Sequence, residues 1–425
     1  MKHSLTISTA LVAGLLAVSP ALAWQAVAPA QIAPVADTVT PANADPAYRG
    51  LLDDATKGLI AALDASAKAP LTQENVDKAK QGAPYADTDW LKASGYEIPV
   101  KEYQDADIKV LSSFTVLPRW QLARSEMTVT EINHGAAPAQ QDHALYDADG
   151  ISYLFFLPEA LGPKLGHAFL TAYENGEIGK AAALIKMSEV STSAAKSYFN
   201  YPRPFLIDQN TIRLVPDNAV TRTGEPYTAT AGAFPSGHTN TGYTDALLLA
   251  EMLPERFTAL VDRAAGYGYS RVVLGVHYPL DVMGSRMVVE RNVSALLNDP
   301  AYQKLFSEAR EELRTALEKE CGTTIAQCAA AGMTAADPWA AAPMREFYNF
   351  TMTYDLPQSG EAGVAMDVPE GAEVLLATLF PNRSAEERRE ILKQTAIDSG
   401  YPLDSTDPAS GFWQRIDLHE ASLAK

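Results

Sequence analysis

The chain is predicted to fold as an all-α helical bundle with an appended C-terminal subdomain. Three observations lead there. Apolar residues recur at helical spacing through most of residues 150 to 319. Alternating, strand-like runs are scarce. After Cys328 the composition shifts toward Ala, Gly, Pro and Asp, which marks a change of unit. A chain of 425 residues has material for two or three domains. With 47% apolar and 20% charged residues, wholesale disorder and fibrous architectures are excluded.

The N-terminus carries Lys2, an apolar run from Leu5 to Val18, Pro20 and then Ala21-Leu22-Ala23. That order is expected of a signal peptide over 1–23, cleaved after Ala23. The run is shorter than the roughly 20 residues a membrane span needs. No later run reaches that length, Ala246 to Leu253 being interrupted by Glu251 and stopped by Pro254. No integral span is expected after cleavage.

Residues 24–46 are rich in Ala, Pro, Val and Gln without clear period, and are expected to form an extended leader with no core. A helical region, 47–144, follows. In it Leu52, Ala55, Leu59, Ile60, Leu63 and Ala67 predict one amphipathic helix from Tyr48 to Lys68, ending before Pro70. Residues 145–320 are expected to be the catalytic core. Apolar blocks at Ile151 to Leu161, Leu165 to Tyr173 and Ile178 to Phe199 are broken at Gly162-Pro163 and Asn175-Gly176. Further helices are predicted at His238 to Met252, Arg256 to Val273, Pro279 to Leu297 and Ala301 to Lys319.

The appended subdomain, 321–425, has one clear charged helix, Ser384 to Ile397, where Ser384 and Glu387 fit a capping box. Cys321 and Cys328 are the only cysteines. On a continuous helix they would stand about 10.5 Å apart, too far to bridge. Gly322 supplies a turn that would bring them together, so a disulfide is expected.

The formal charge of −18 argues against nonspecific binding to nucleic acid. An anionic substrate must therefore meet a local basic pocket. Three clusters supply one. Lys196 and Arg203-Pro204 lie seven residues apart, close to two helical turns, so both cations can reach one side of the bundle even with the break at Pro202. Pro235-Ser236-Gly237-His238 precedes a helix, whose start offers unpaired N–H groups and the positive end of the dipole. Gly237 lets the backbone approach an anion, Ser236 adds a hydroxyl, and His238 can exchange a proton near neutral pH. In Ser270-Arg271-x5-His277-x3-Asp281, Pro279 marks the next helix start, so Asp281 can reach back to His277. A carboxylate on one ring nitrogen fixes the tautomer and leaves the other free as a nucleophile. Each cluster alone also reads as ordinary surface cations, an N-cap or a structural pair. Eleven fixed positions in order across about 86 residues do not.

The triple pattern resembles the type-2 phosphatidic acid phosphatase superfamily, and more closely its class A bacterial nonspecific acid phosphatases, which are related to vanadium haloperoxidases. The similarity extends to Phe205, Thr239, Ala246 to Glu251 and Asp299-Pro300-Ala301-Tyr302, and covers about residues 145 to 315. It implies a helical bundle of the acid phosphatase/vanadium haloperoxidase type. By it, Lys196, Arg203, Ser236, Gly237 and Arg271 would hold the phosphoryl oxygens, His277 would be the nucleophile oriented by Asp281, and His238 the general acid. The residue types suit that chemistry. Three cations and helix-start N–H groups make a preorganised clamp for charge on nonbridging oxygens, with no cofactor and no metal required. An ordinary imidazole titrates near 6.5, so a protonated donor favours mildly acidic conditions.

The expected protein is a secreted or periplasmic phosphomonoester hydrolase. Small phosphate esters are its implied partners, nucleic acid is not, and assembly as a homo-oligomer stays open. A vanadium-dependent haloperoxidase, a periplasmic lipid phosphatase and a noncatalytic phosphate-binding envelope protein are the alternatives. Asp147-Ala148-Asp149-Gly150 begins like a calcium loop but lacks its later ligands, and reads better as a turn. His134, His143, His167 and His419 have no motif partners.

Overall fold

A computed structural model of the chain describes residues 28–67, 71–79, 84–229, 231–332, 337–407 and 411–424. The expected signal peptide, 1–23, lies outside them. The helices that build the molecule are α1 (Pro29–Val39), α2 (Pro46–Ala67), α3 (Arg119–Gly135), α4 (Pro138–Asp149), α5 (Pro163–Glu174), α6 (Gly179–Met187) and α7 (Ser193–Phe199). They continue as α8 (Gly237–Met252), α9 (Phe257–Val273), α10 (Pro279–Leu297), α11 (Pro300–Cys321), α12 (Ala342–Thr353), α13 (Ala385–Thr395) and α14 (Leu418–Ser422). Among the described residues there is no strand, only an isolated bridge between Pro216 and Pro226. The all-α fold is as expected.

Helix α8 is the centre. From Thr239 to Met252 every residue is buried, as befits a helix wrapped on all sides. Helices α9 and α10 pack closely on it. The approach of α8 to α9 depends on Gly242, where a Cβ would stand 2.4 Å from Tyr267 Cδ1. Helix starts follow local chemistry. Proline occupies the first turn of α10 and α11, where its missing N–H costs nothing. Asp299 caps α11 by accepting from Ala301 N at 2.8 Å, and Ser384 and Glu387 form the expected capping box on α13.

Several expectations fail for identifiable reasons. The predicted extended leader is helical from Pro29 to Val39, packs on α3 and α12, and buries Ile32, Ala36 and Val39. Those three share one helix face, a period masked by the Ala and Pro content around it. The block from 151 to 161 is no single helix. It is a 3-10 turn, Leu154–Phe156, and a short helix, Pro158–Leu161, because Pro158 cannot donate to a continuing ladder. The block from 178 to 199 breaks after Met187, where Ser188 turns its hydroxyl to Leu184 O and Tyr302.

The bridge between Cys321 and Cys328 forms, with Cα atoms 5.9 Å apart. Gly322 makes it reachable by ending α11 in a left-handed conformation, φ 66°. Beyond it the chain packs directly on the central helices, α12 on α9 and α10, and α14 on α9. Buried Arg286 of α10 ties this segment down, donating to Gln414 O at 2.7 Å, Ile416 O at 2.9 Å and Glu290 at 3.0 Å. Burial pushes Glu290 up to about 7 despite Arg286. Arg286→Met strands that carboxylate and two carbonyls, and is expected to cost about 3–5 kcal/mol in denaturant unfolding. A loss under about 1 kcal/mol would show that the anchor is incidental.

Candidate active site

The three sequence clusters converge where α7, α8, α9 and the start of α10 meet the irregular segment 207–235. Helix α7 ends at Asn200 in a left-handed turn, φ 44°, and the chain then runs extended to Arg203. Lys196 Nζ donates to Gly232 O at 2.6 Å and Ala233 O at 3.1 Å. Arg203 Nε donates to Ala231 O at 2.8 Å, and its Nη1 to Val276 O at 2.9 Å and His277 Nε2 at 2.6 Å. Both cations are thus fixed by backbone carbonyls rather than left to snorkel.

Ser236 is the N-cap of α8, its hydroxyl accepting from Thr239 N at 3.2 Å. Gly237 is the first helical residue. A Cβ there would lie 3.3 Å from Thr192 Oγ1 and 3.9 Å from Lys196 Cε, so glycine keeps the helix start open toward the lysine. Arg271, in the last turn of α9, is fully buried, and none of its three guanidinium nitrogens has a hydrogen-bond partner. Its guanidinium lies 4.7 Å from the centre of the Tyr227 ring. A buried guanidinium left without acceptors is costly, and an anion among its nitrogens would remove that cost.

His277 follows Gly275, whose φ of 70° turns the chain out of α9. Its Nδ1 is 2.9 Å from Asp281 Oδ2, which also accepts from Tyr278 N at 2.9 Å. A carboxylate only accepts, so Nδ1 carries the proton and Nε2 presents its lone pair to Arg203. Burial, then Arg203, Lys196, Arg271 and His238, hold the imidazole well below its ordinary range. Burial pushes Asp281 upward, with Tyr278 N–H, Lys196 and Arg203 pulling the other way. Burial draws Lys196 down to about 7, Arg203 and Arg271 adding to the effect and Asp281 opposing it. Burial also draws Arg203 down to about 10. Three cations crowd one carboxylate here, and a dianion would lower the energy of all of them.

His238 stands differently. Its Nε2 is 3.0 Å from Ala148 O, at the end of α4, and 3.2 Å from Tyr227 Oη. The Asp147-Ala148-Asp149 stretch closes a helix instead of forming a cation loop. Asp147 pairs with Arg263 and accepts from Ser270 Oγ at 2.6 Å, while its carbonyl accepts from Tyr267 Oη at 2.6 Å. No cluster of three or more metal-ligating side chains occurs among the described residues. The histidines without motif partners have tertiary ones, such as His143 with Glu159 at 3.2 Å and His419 with Asp262 at 2.6 Å. Tyr227 was not singled out from the sequence. It lies in a segment without period, and its ring contact with Arg271 and its hydroxyl near His238 mark it.

Residues 178–289 match the PAP2 superfamily. The chain is 37% identical over 124 residues to a non-specific acid phosphatase of Salmonella typhimurium, covering 29% of this chain and 46% of that one. It is 36% identical over 132 residues to a non-specific acid phosphatase of Salmonella typhi, 31% of this chain and 50% of that one. An acid phosphatase of Zymomonas mobilis is 33% identical over 122 residues, 29% of this chain and 44% of that one. The chain spans about half the length of these curated relatives.

Proposed function

We propose that this chain, which carries a PAP2 superfamily domain, is an exported acid phosphatase that hydrolyses phosphate monoesters through a phosphohistidine on His277. The observation that carries the reading is a neutral imidazole nitrogen facing buried Arg203, beside half-buried Lys196 and buried Arg271, which has no acceptor of its own. The names of its relatives support it. Lys196, Arg203, Arg271 and the Ser236-Gly237 helix start would hold the phosphoryl oxygens.

As phosphate enters, Arg203 would turn its Nη1 from His277 Nε2 to a phosphoryl oxygen. Nε2 would then attack phosphorus as the bond to the leaving oxygen breaks, and that oxygen would take a proton from His238. The imidazole, now phosphorylated and cationic, would be stabilised through Nδ1–H by Asp281. Water would attack next, giving its proton to His238 as the P–N bond breaks and phosphate leaves. Holding His277 neutral well below its ordinary range lets it stay nucleophilic at the acidic pH at which His238 is to be protonated.

The disulfide suits an oxidising compartment, and with the N-terminal pattern supports a periplasmic or secreted location. No helix among the described residues is long and apolar enough to cross a membrane. The test is an aryl phosphate assay across pH, with and without chelator, and with vanadate. Turnover should peak at acidic pH, persist in chelator and be inhibited by vanadate. Activity lost to chelator and restored by a divalent ion would overturn the reading. Halide oxidation by peroxide on adding vanadate, without ester hydrolysis, would assign the chain to the haloperoxidase alternative.

A further inference from the structure

We propose that Tyr227 is a positioning residue that couples the two halves of the site, its ring holding the Arg271 guanidinium and its hydroxyl orienting the His238 imidazole. The inference rests on the reading of the site as a phosphatase centre and adds a residue to it.

The placement of Tyr227 is built, not incidental. Its backbone is set by a tight hairpin in which Asp217 N donates to Glu225 O and Gly224 N to Asp217 O, both at 3.0 Å, beside the Pro216–Pro226 bridge. Asp217 accepts in turn from the backbone N–H groups of Ala219, Val220 and Thr221 at 2.8–3.0 Å. The side chain is 5% exposed. On one side its ring faces Arg271 at 4.7 Å, a cation–π contact that leaves the guanidinium hydrogen-bond donors unspent. A carboxylate in that position would neutralise Arg271 and compete with phosphate. An aromatic face steadies the cation without satisfying its N–H groups.

On the other side the hydroxyl lies 3.2 Å from His238 Nε2, and the two rings meet edge to face with centroids 5.7 Å apart. Ala148 O, 3.0 Å from the same nitrogen, can only accept, so Nε2 carries a proton in both charge states of the ring. That N–H is shared between Ala148 O and Tyr227 Oη. The nitrogen whose protonation changes is therefore Nδ1, and it is Nδ1–H that would be given to the leaving group. Tyr227 thus holds the oxygen-binding cation and the proton donor in one frame.

Two substitutions separate these roles. Tyr227→Phe keeps the ring and removes the hydroxyl. Inhibition by inorganic phosphate should stay within about twofold of wild type, while kcat on alkyl phosphates falls roughly tenfold and on aryl phosphates less, as loss of a proton donor's alignment predicts. Tyr227→Leu removes the ring as well, and should weaken phosphate binding by calorimetry about 3- to 30-fold. In wild type the ¹⁵N spectrum of His238 should show Nε2 protonated throughout a pH titration; Tyr227→Phe should keep that tautomer, which Ala148 O holds, and shift the Nε2 resonance as the N–H loses its second acceptor. Unchanged phosphate binding in Tyr227→Leu, or equal losses on all substrates in both variants, would overturn the proposal. So would a wild-type spectrum with Nδ1–H as the neutral tautomer. Calorimetry and the ¹⁵N spectrum need no turnover. A wild type that binds phosphate without hydrolysing esters would sink the phosphatase reading while still testing Tyr227.

Discussion

His277→Ala is expected to lower kcat on any phosphate monoester by on the order of 10⁴ or more, the scale seen when a nucleophile that works as part of a unit is removed. Rapid quench with a phosphorylated substrate should label the wild type through an acid-labile bond and leave the variant unlabelled. The basis is geometric. Asp281 holds the Nδ1 proton at 2.9 Å, so Nε2 alone can attack, and it already faces the cation cluster. Because His277 is buried, calorimetric binding of inorganic phosphate should accompany the assay. Retained binding with lost turnover assigns the loss to chemistry. Equal labelling of the variant would move the nucleophile elsewhere.

His238→Asn should cost about 10² to 10⁴ in kcat on alkyl phosphates, the usual worth of a positioned proton donor. Aryl phosphates, whose leaving groups need less protonation, should lose much less. Asparagine ends at the level of the ring's Nδ1 and stops short of Ala148 O and the Tyr227 hydroxyl, the partners of Nε2, so inhibition by inorganic phosphate checks that the site stays assembled. Phosphate inhibition should change little. Identical losses on alkyl and aryl substrates would remove His238 from the proton-transfer step.

Much of the fold was legible because its signals are local. Helix α10 begins at Pro279 and ends at Leu297, where proline punctuation and apolar period placed it. The capping box at Ser384 and the left-handed Gly322 that lets Cys321 meet Cys328 depend on a handful of neighbouring residues. The failures share a cause of the opposite kind. Helix α1 is stable because α3 and α12, far along the chain, cover Ile32, Ala36 and Val39, and no composition window around residue 32 contains those partners.

The same division runs through the candidate site. The sequence alone determined the residue types, their order and their spacing: three cations, a helix start, and a histidine with a carboxylate four residues on. Spacing suffices there because Pro279 starts a helix and Asp281 falls in its first turn, within reach of His277. Tertiary structure alone decided which nitrogen of His277 is free, that Arg271 has no acceptor, that Arg203 is pinned by the carbonyls of residues 231 and 276, and that Tyr227 stands between Arg271 and His238. Apart from the local His277–Asp281 bond and the Tyr227–His238 contact, 11 residues apart, those facts arise between segments 28 to 74 residues apart, where contact is set by how α7, α8 and α9 pack and by the path of the chain between α7 and α8. No periodicity or motif within a single segment encodes that path, because the energy that fixes it comes from burial against the other helices.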